Sequence, residues 1–157
     1  MIGSPLHFAL LLQLVAGDIR GKSGQVVISG PVPLICTVTL AEDRVLIDLN
    51  SRGPQALGAV TYVCNGPDGL VRRVSSENGG ALVQGEFAIP YMLEERGSSS
   101  LAFAFQQLAA PLITEVAEEE GLVDGLTEEL RLIVPVRPPE LVAGEYVDTV
   151  IIEITPN

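Results

Sequence analysis

The class of fold is indicated most directly by residues 142–155, Val142-Ala-Gly-Glu-Tyr-Val-Asp-Thr-Val-Ile-Ile-Glu-Ile-Thr155. It predicts a turn at residues 143–145 that leads into a strand. Val150, Ile152 and Ile154 share one face of this strand, because side chains alternate with a period of two. An apolar strand face must be buried in a sheet, since an isolated strand is not stable in water. The stretch therefore predicts a protein built from sheets.

A second period-two pattern covers residues 26–40, where apolar residues recur at every second position. Pro31 and Pro33 lie on the opposite parity, and proline within such a run indicates an edge or a break. The pattern predicts two strands with a joint at residues 30–33. The upstream piece, residues 24–30, is then part of a free N-terminal extension, and the downstream piece is the first strand of the domain.

Short apolar segments continue along the chain, separated by turns rich in Gly, Pro and Asn. This spacing predicts one all-β domain with a sandwich architecture. An acidic stretch at residues 115–129 reads as a polar connection with room for a helical turn, and the Ala-rich segment at 102–108 also fits a helix. The further predicted strands are residues 45–49, 58–64, 70–76, 81–83, 86–93, 102–108, 111–116 and 130–136, with Pro135 on an edge.

Composition narrows the classes of function. The chain has 157 residues and a formal charge of −11, and so acidic a protein repels nucleic-acid backbones. His7 is the only histidine and lies in a segment expected to be removed, which argues against a Ser-His-Asp or Cys-His catalytic site and a His-ligated metal. We therefore expect no catalytic residues, no metal and no cofactor. The acidic stretch lacks a calcium-loop motif and is expected to be solvated. Tyr146 is expected to hydrogen-bond a backbone group at a sheet corner.

The N-terminus suggests export. Residues 8–15 form an apolar run too short to span a bilayer, and small residues follow it. This arrangement predicts a signal peptide at residues 1–17, although residues 1–7 lack the usual Lys or Arg. The alternative is a buried N-terminal segment that is retained. The N-terminal extension then comprises residues 18–30, and the domain comprises residues 31–157.

Cys36 and Cys64 are the only cysteines, and each lies in an alternating apolar segment. Two cysteines in an exported chain predict one disulfide. Two free buried thiols are the alternative in a cytosolic protein. A CxxC redox motif is absent, and two cysteines alone make a poor zinc site.

Several segments together resemble one known family. The C-terminal Ala-Gly-x-Tyr-x-Asp-Thr-Val pattern at residues 143–150 is similar to the end of the spore coat U domain and of pilins from archaic chaperone–usher fimbriae. Residues 60–71 resemble that family's second-cysteine strand and the turn after it, and residues 74–82 resemble its serine–glycine segment. The Ile-Pro-Tyr-Met-Leu stretch at 89–93 resembles its Tyr-x-Leu strand. One departure is the acidic stretch, where many relatives carry a Trp-Gly or similar aromatic motif.

This resemblance implies an incomplete immunoglobulin-like sandwich that lacks one strand and leaves an apolar groove open. A periplasmic chaperone would fill the groove first, and the extension of the next subunit would replace it during assembly at an outer-membrane usher. Val26 and Ile28, with Ile19, would be the donor side chains that enter the groove. The implied location is the periplasm in transit and then the cell surface. The disulfide between the two cysteines also matches the family pattern.

Three functions remain as expectations at this point. The first is a structural subunit of an extracellular fibre, which binds neighbouring subunits through donor strands. The second is a self-contained secreted coat or adhesive sandwich, in which the chain's own N-terminal strand completes the sheet. The third is a secreted enzyme, which the absence of histidine and of convergent polar motifs disfavours.

Overall fold

A computed structural model describes residues 24–137 and 139–157. The chain divides into two compact units, Met1–Val32 and Pro33–Asn157. In the first unit, residues 24–32 contain no helix or strand, so the strand predicted at residues 24–30 does not form, and their side chains are exposed. The predicted signal peptide at residues 1–17, and Ile19 and His7, lie outside the described residues.

The second unit is all-β and forms a sandwich, as predicted. One sheet has five strands in the order β1-β2-β9-β6-β7, a second has three in the order β10-β3-β8, and β4 and β5 form a separate antiparallel pair. Within the described part of the chain, no helix is long and apolar enough to cross a bilayer. The strands are β1 Cys36–Leu40, β2 Gln55–Cys64, β3 Leu70–Ser76, β4 Ala81–Gln84, β5 Phe87–Pro90, β6 Met92–Arg96, β7 Phe103–Gln106, β8 Leu112–Val116, β9 Leu126–Ile133 and β10 Val150–Pro156.

The alternation of buried and more exposed side chains along the strands shows that the core lies between the sheets. In β2, Val60, Tyr62 and Cys64 are buried, whereas the residues between them are only half-buried. In β9, Leu130 and Leu132 point inwards in the same way. Each strand buries one face because only that face meets the other sheet. The remaining buried apolar side chains are Leu70, Val74, Leu82, Ile89, Tyr91, Leu93, Leu101, Leu108, Val116, Leu122 and Val134.

The strand order corresponds to an immunoglobulin-like sandwich without its last strand. In that fold one sheet has the order A-B-E-D, and the other contains strands C, F and G. Here β1-β2-β9-β6 take the A-B-E-D positions, and β3 and β10 take the C and F positions. Among the described strands, none pairs with β10 on the side where strand G would lie. The second sheet therefore ends at β10.

In the second unit, one predicted strand does not form, and another has different bounds. Residues 45–49 form no strand, because Asp48 starts a turn instead: its carboxylate accepts a hydrogen bond from the amide of Asn50, and its backbone bonds the side chain of Gln55. The predicted strand at 130–136 begins four residues earlier, at Leu126, inside the acidic stretch. It ends before Pro135, because β9 lies between two strands and proline cannot supply the N–H that a central ladder needs.

Smaller differences concern the connections. The predicted strand at 86–93 is divided between β5 and β6, and the Ala-rich segment contains β7 and no helix. The acidic stretch is a strand at both ends. Between them lies a hydrogen-bonded turn in which Gly125 donates to Gly121, and this turn carries the buried Leu122 into the core. A single apolar residue thus anchors an otherwise solvated loop.

Cys36 and Cys64 form a disulfide, as predicted. They face each other as the first residue pair between β1 and β2, with their Cα atoms 4.1 Å apart. β1 is an edge strand of the five-stranded sheet and, among the described strands, pairs only with β2. The disulfide therefore holds the start of β1 to its one neighbour. The other end of β1, at Leu40, relies on hydrogen bonds alone.

Removing the disulfide is expected to lower the free energy of unfolding by about 3–4 kcal/mol, since the bond closes a 28-residue separation in the unfolded chain. Denaturant unfolding of the full chain with and without reductant measures this loss. In the double variant Cys36→Ala/Cys64→Ala, the reductant should have no further effect. Equal unfolding midpoints for the oxidised and reduced wild type would contradict the expectation.

Candidate functional site

The candidate site is a groove between the loop that follows β1 and the start of β10. Both strands lack a neighbour on one side: among the described strands, β1 pairs only with β2, and β10 pairs only with β3. Edge strands present unpaired N–H and C=O groups that can accept a further strand. The two open edges are therefore available for main-chain hydrogen bonding.

The groove has a volume of about 460 Å³ and a largely apolar lining. Its floor consists of core residues such as Val60, Leu130 and Leu132, which are almost fully buried. Towards the rim the apolar side chains are partly open to solvent, and Leu40 is 44% exposed. Apolar surface that leads into a core without a cover is typical of a binding site. The groove can therefore take up apolar side chains.

Charged residues occupy the rim. Glu42, Asp43 and Arg44 lie on the loop after β1, and Glu145 and Asp148 lie just before β10. Apart from Asp148, whose carboxylate is hydrogen-bonded within the fold, rim charges of this kind stay solvated and contribute little affinity, but they restrict which partners can approach. Four of these five groups are acidic, so the rim disfavours an acidic partner.

β10 forms an apolar wall of the groove, next to its own unpaired edge. Val150, Ile152 and Ile154 are half-buried and pack against the core, and the first two line the groove. Ile151 and Glu153 lie on the opposite face and are exposed. The side chains that the C-terminal alternation singled out thus share the inner face, where they remain partly uncovered.

Asp148 anchors the start of the terminal strand. Its carboxylate accepts hydrogen bonds from the hydroxyls of Ser76 and Tyr91, and from the amides of Asn78 and Thr149. Four donors on one carboxylate connect β10 to the β3–β4 turn and to the residue between β5 and β6. Burial, followed by the hydrogen bond to Asp148, raises the pKa of the Tyr91 hydroxyl, so this group stays a donor at physiological pH.

The turn before β10 is held by two further contacts. The hydroxyl of Tyr146 donates to the backbone oxygen of Val142, a corner contact of the kind that the sequence predicted. Val147 and Val83 form an isolated bridge, in which the backbone amide of each donates to the backbone oxygen of the other. The residues of the C-terminal motif therefore position the groove wall.

The two donor residues lie in the other unit of the chain. Val26 is 81% and Ile28 is 91% exposed, and neither belongs to a strand. Their assignment as a donor strand stays a prediction. Within the described ranges, no three acidic, cysteine or histidine side chains come together in a way that suits a metal ion.

Sequence reasoning missed Ser76 and Tyr91 as partners of Asp148, because they lie 72 and 57 residues away along the chain. It also missed a group of charged residues inside the sandwich: Arg72, Glu95 and Glu128. A signal for these was present, since each falls on the apolar parity of its strand. No family model matches the chain, and no curated protein matches it significantly.

Replacing the anchor is expected to destabilise the domain. Asp148→Ala should lower the free energy of unfolding by about 1–3 kcal/mol, because the buried hydroxyl of Tyr91 would lose its acceptor. The matched control is Glu153→Ala in the same terminal strand, which removes an exposed ion pair to Arg73 and should cost about 0–1 kcal/mol. Denaturant unfolding measures both values. An equal loss in the two variants would contradict the role of Asp148.

Proposed function

We propose that this protein is a structural subunit of an extracellular fibre, assembled by donor-strand complementation and without catalytic activity. In this proposal, the N-terminal extension of one copy lies in the groove of another and pairs with the open edge of β10. The donor side chains are Val26 and Ile28. The observation that carries the proposal is the unpaired edge of β10 among the described strands, on the side where an immunoglobulin-like sandwich would have its last strand, next to an apolar groove that Val150 and Ile152 line.

The physical basis is β-augmentation. An added strand would supply main-chain hydrogen bonds to the edge of β10, and its alternate side chains would enter the groove. Burying one Val or Ile side chain stabilises by about 1.5–3 kcal/mol. Two such side chains and the main-chain hydrogen bonds of the ladder would act against the conformational entropy that is lost when a short extended segment is ordered.

The extension has properties that suit this role. Val26 and Ile28 are two positions apart, so they fall on the same face of an extended strand. Val27 falls on the opposite face, which makes it a natural control. The described part of the extension, residues 24–30, carries no charged residue, so the acidic rim of the groove does not repel it.

The proposal also concerns partners and location. An uncovered groove is an aggregation hazard, so a subunit of this type needs a temporary partner before assembly. A periplasmic chaperone and an outer-membrane usher would have this role, and the assembled fibre would lie at the cell surface. The resemblance of the motifs supports this part of the proposal, together with the disulfide, which is typical of oxidising compartments.

The donor side chains are tested with the full chain refolded under oxidising conditions. The wild type is expected to form polymers that resist denaturant, and these are measured on a sizing column and on unheated denaturing gels. Val26→Asp/Ile28→Asp should abolish the polymers, because two carboxylates cannot enter an apolar groove without a large desolvation cost. Val27→Asp is the matched control and should still polymerise. Equal behaviour of the two variants would refute the donor assignment.

The groove is tested from the other side. Ile152→Asp places a charge on the inner face of β10 and should block polymer formation, whereas Ile151→Asp on the outer face should not. Mixing Ile152→Asp with the Val26→Asp/Ile28→Asp variant should give a heterodimer, because one still has a donor and the other still has a groove. A wild type that stays a monomer would overturn the fibre proposal and favour a self-complemented secreted sandwich.

A further inference from the structure

A group of charged side chains lies inside the sandwich, apart from the residues that line the groove. Arg72 of β3 and Glu95 of β6 form an ion pair at 2.8 Å, and both side chains are fully buried. The hydroxyl of Tyr62 donates to the same carboxylate oxygen, Oε2 of Glu95, at 3.0 Å. The guanidinium also donates to the hydroxyl of Thr114 at 3.2 Å and lies over the ring of Phe103. The two sheets are thus joined through one arginine.

A second buried carboxyl lies beside this pair. Glu128 of β9 is 3% exposed, and its Oε1 accepts hydrogen bonds from the amide and the hydroxyl of Ser99. Strands β6 and β9 are adjacent, with Glu95 opposite Leu130, so Glu128 is the diagonal neighbour of Glu95 on the same face. Diagonal neighbours in an antiparallel pair lie within reach of long side chains. Gly97 leaves the space that Glu128 occupies, since a Cβ there would overlap its carboxyl group.

Two oxygens of these carboxyls have no partner. Oε1 of Glu95 and Oε2 of Glu128 are both buried, and neither makes a hydrogen bond to a group of the described residues. Two ionised carboxylates beside one guanidinium would leave a net negative charge in a low-dielectric interior, which is strongly unfavourable. One proton between the two oxygens would satisfy both and would balance the charge of Arg72.

We infer that the folded protein holds one proton between Oε1 of Glu95 and Oε2 of Glu128, so that the sandwich is a pH-sensitive device that loosens as the pH rises. The other titratable groups facing the pair are Tyr62 from β2 and Arg72 from β3. β8 and the β6–β7 loop contribute the hydroxyls of Thr114 and Ser99, and β7 contributes the ring of Phe103.

The shift of the carboxyl pKa agrees with this geometry. Burial raises the pKa of Glu95 to about 7, Arg72 and Tyr62 oppose the rise, and Glu128 adds to it. A pKa raised on folding means that the folded state binds more protons than the unfolded state between the two pKa values. The associated stability is therefore present below about pH 4.5 and is lost progressively as the pH rises to about 7. Tyr62 stays neutral throughout, because burial and then Glu95 raise its pKa.

The test measures unfolding of the full chain by denaturant between pH 5 and pH 8, followed by far-ultraviolet circular dichroism. In the steepest part, the ratio of folded to unfolded protein should fall by up to about tenfold per pH unit, the slope for one proton. Glu128→Gln should remove most of this dependence, because its amide can donate permanently to Glu95 while its oxygen still accepts from Ser99. The matched control is Glu119→Gln: Glu119 accepts the corresponding two hydrogen bonds from the amide and hydroxyl of Ser100 but is only half-buried, and its variant should keep the wild-type slope.

Infrared spectroscopy of the folded protein tests the same proton without unfolding. At pH 6 the wild type should show the carbonyl stretch of a protonated carboxylic acid, which should disappear on raising the pH to 8. The band should be missing in both Glu95→Gln and Glu128→Gln and present in Glu119→Gln. A wild type without the band at pH 6, or a band that persists in Glu128→Gln, would overturn the shared proton. So would a wild-type stability that does not change between pH 5 and pH 8.

Discussion

The antiparallel pairing of β10 with β3 is the constraint on which the rest of the structure depends. It extends over all 7 residues of β10, from Val150 opposite Ser76 to Pro156 opposite Leu70. This pairing brings the C-terminal segment back across the core and adds the edge strand β10 to the second sheet. It also leaves the other edge of β10 without a strand among the described residues, and the groove lies next to this strand.

The domain contains two unfavourable features, one apolar and one electrostatic. The groove lacks an apolar cover, and the charged group inside the sandwich has one negative charge too many when both carboxyls are ionised. We propose a different addition for each: a strand in the first case and a proton in the second. Both proposed additions act on the contact between the two sheets, since residues of β2, β9 and β10 line the groove, and Arg72 of β3 reaches Glu95 of β6.

Local sequence patterns predicted a strand reliably where the alternation of apolar residues within the strand is enough to identify it. Residues 70–76 coincide with β3, because an apolar parity is enclosed there by two strong turns. Residues 45–49 show the same apolar richness but form no strand, because Asp48 and Gln55 satisfy backbone groups that a ladder would otherwise use. For β9, the charges of Thr-Glu-Glu at 127–129 obscured a central strand, since one of these glutamates is buried by partners distant in sequence.

The sequence by itself determined the class of fold, the positions of most turns, the disulfide between two isolated cysteines and the inward face of the terminal strand. These follow from local alternation and composition, which act over a few residues. The packing of the two sheets, by contrast, brings Asp148 to Ser76 and Tyr91 and Arg72 to Glu95, and it leaves one edge of β10 without a strand among the described residues. These contacts join residues 23 to 72 positions apart, and their formation depends on how the two sheets pack, which no local pattern encodes.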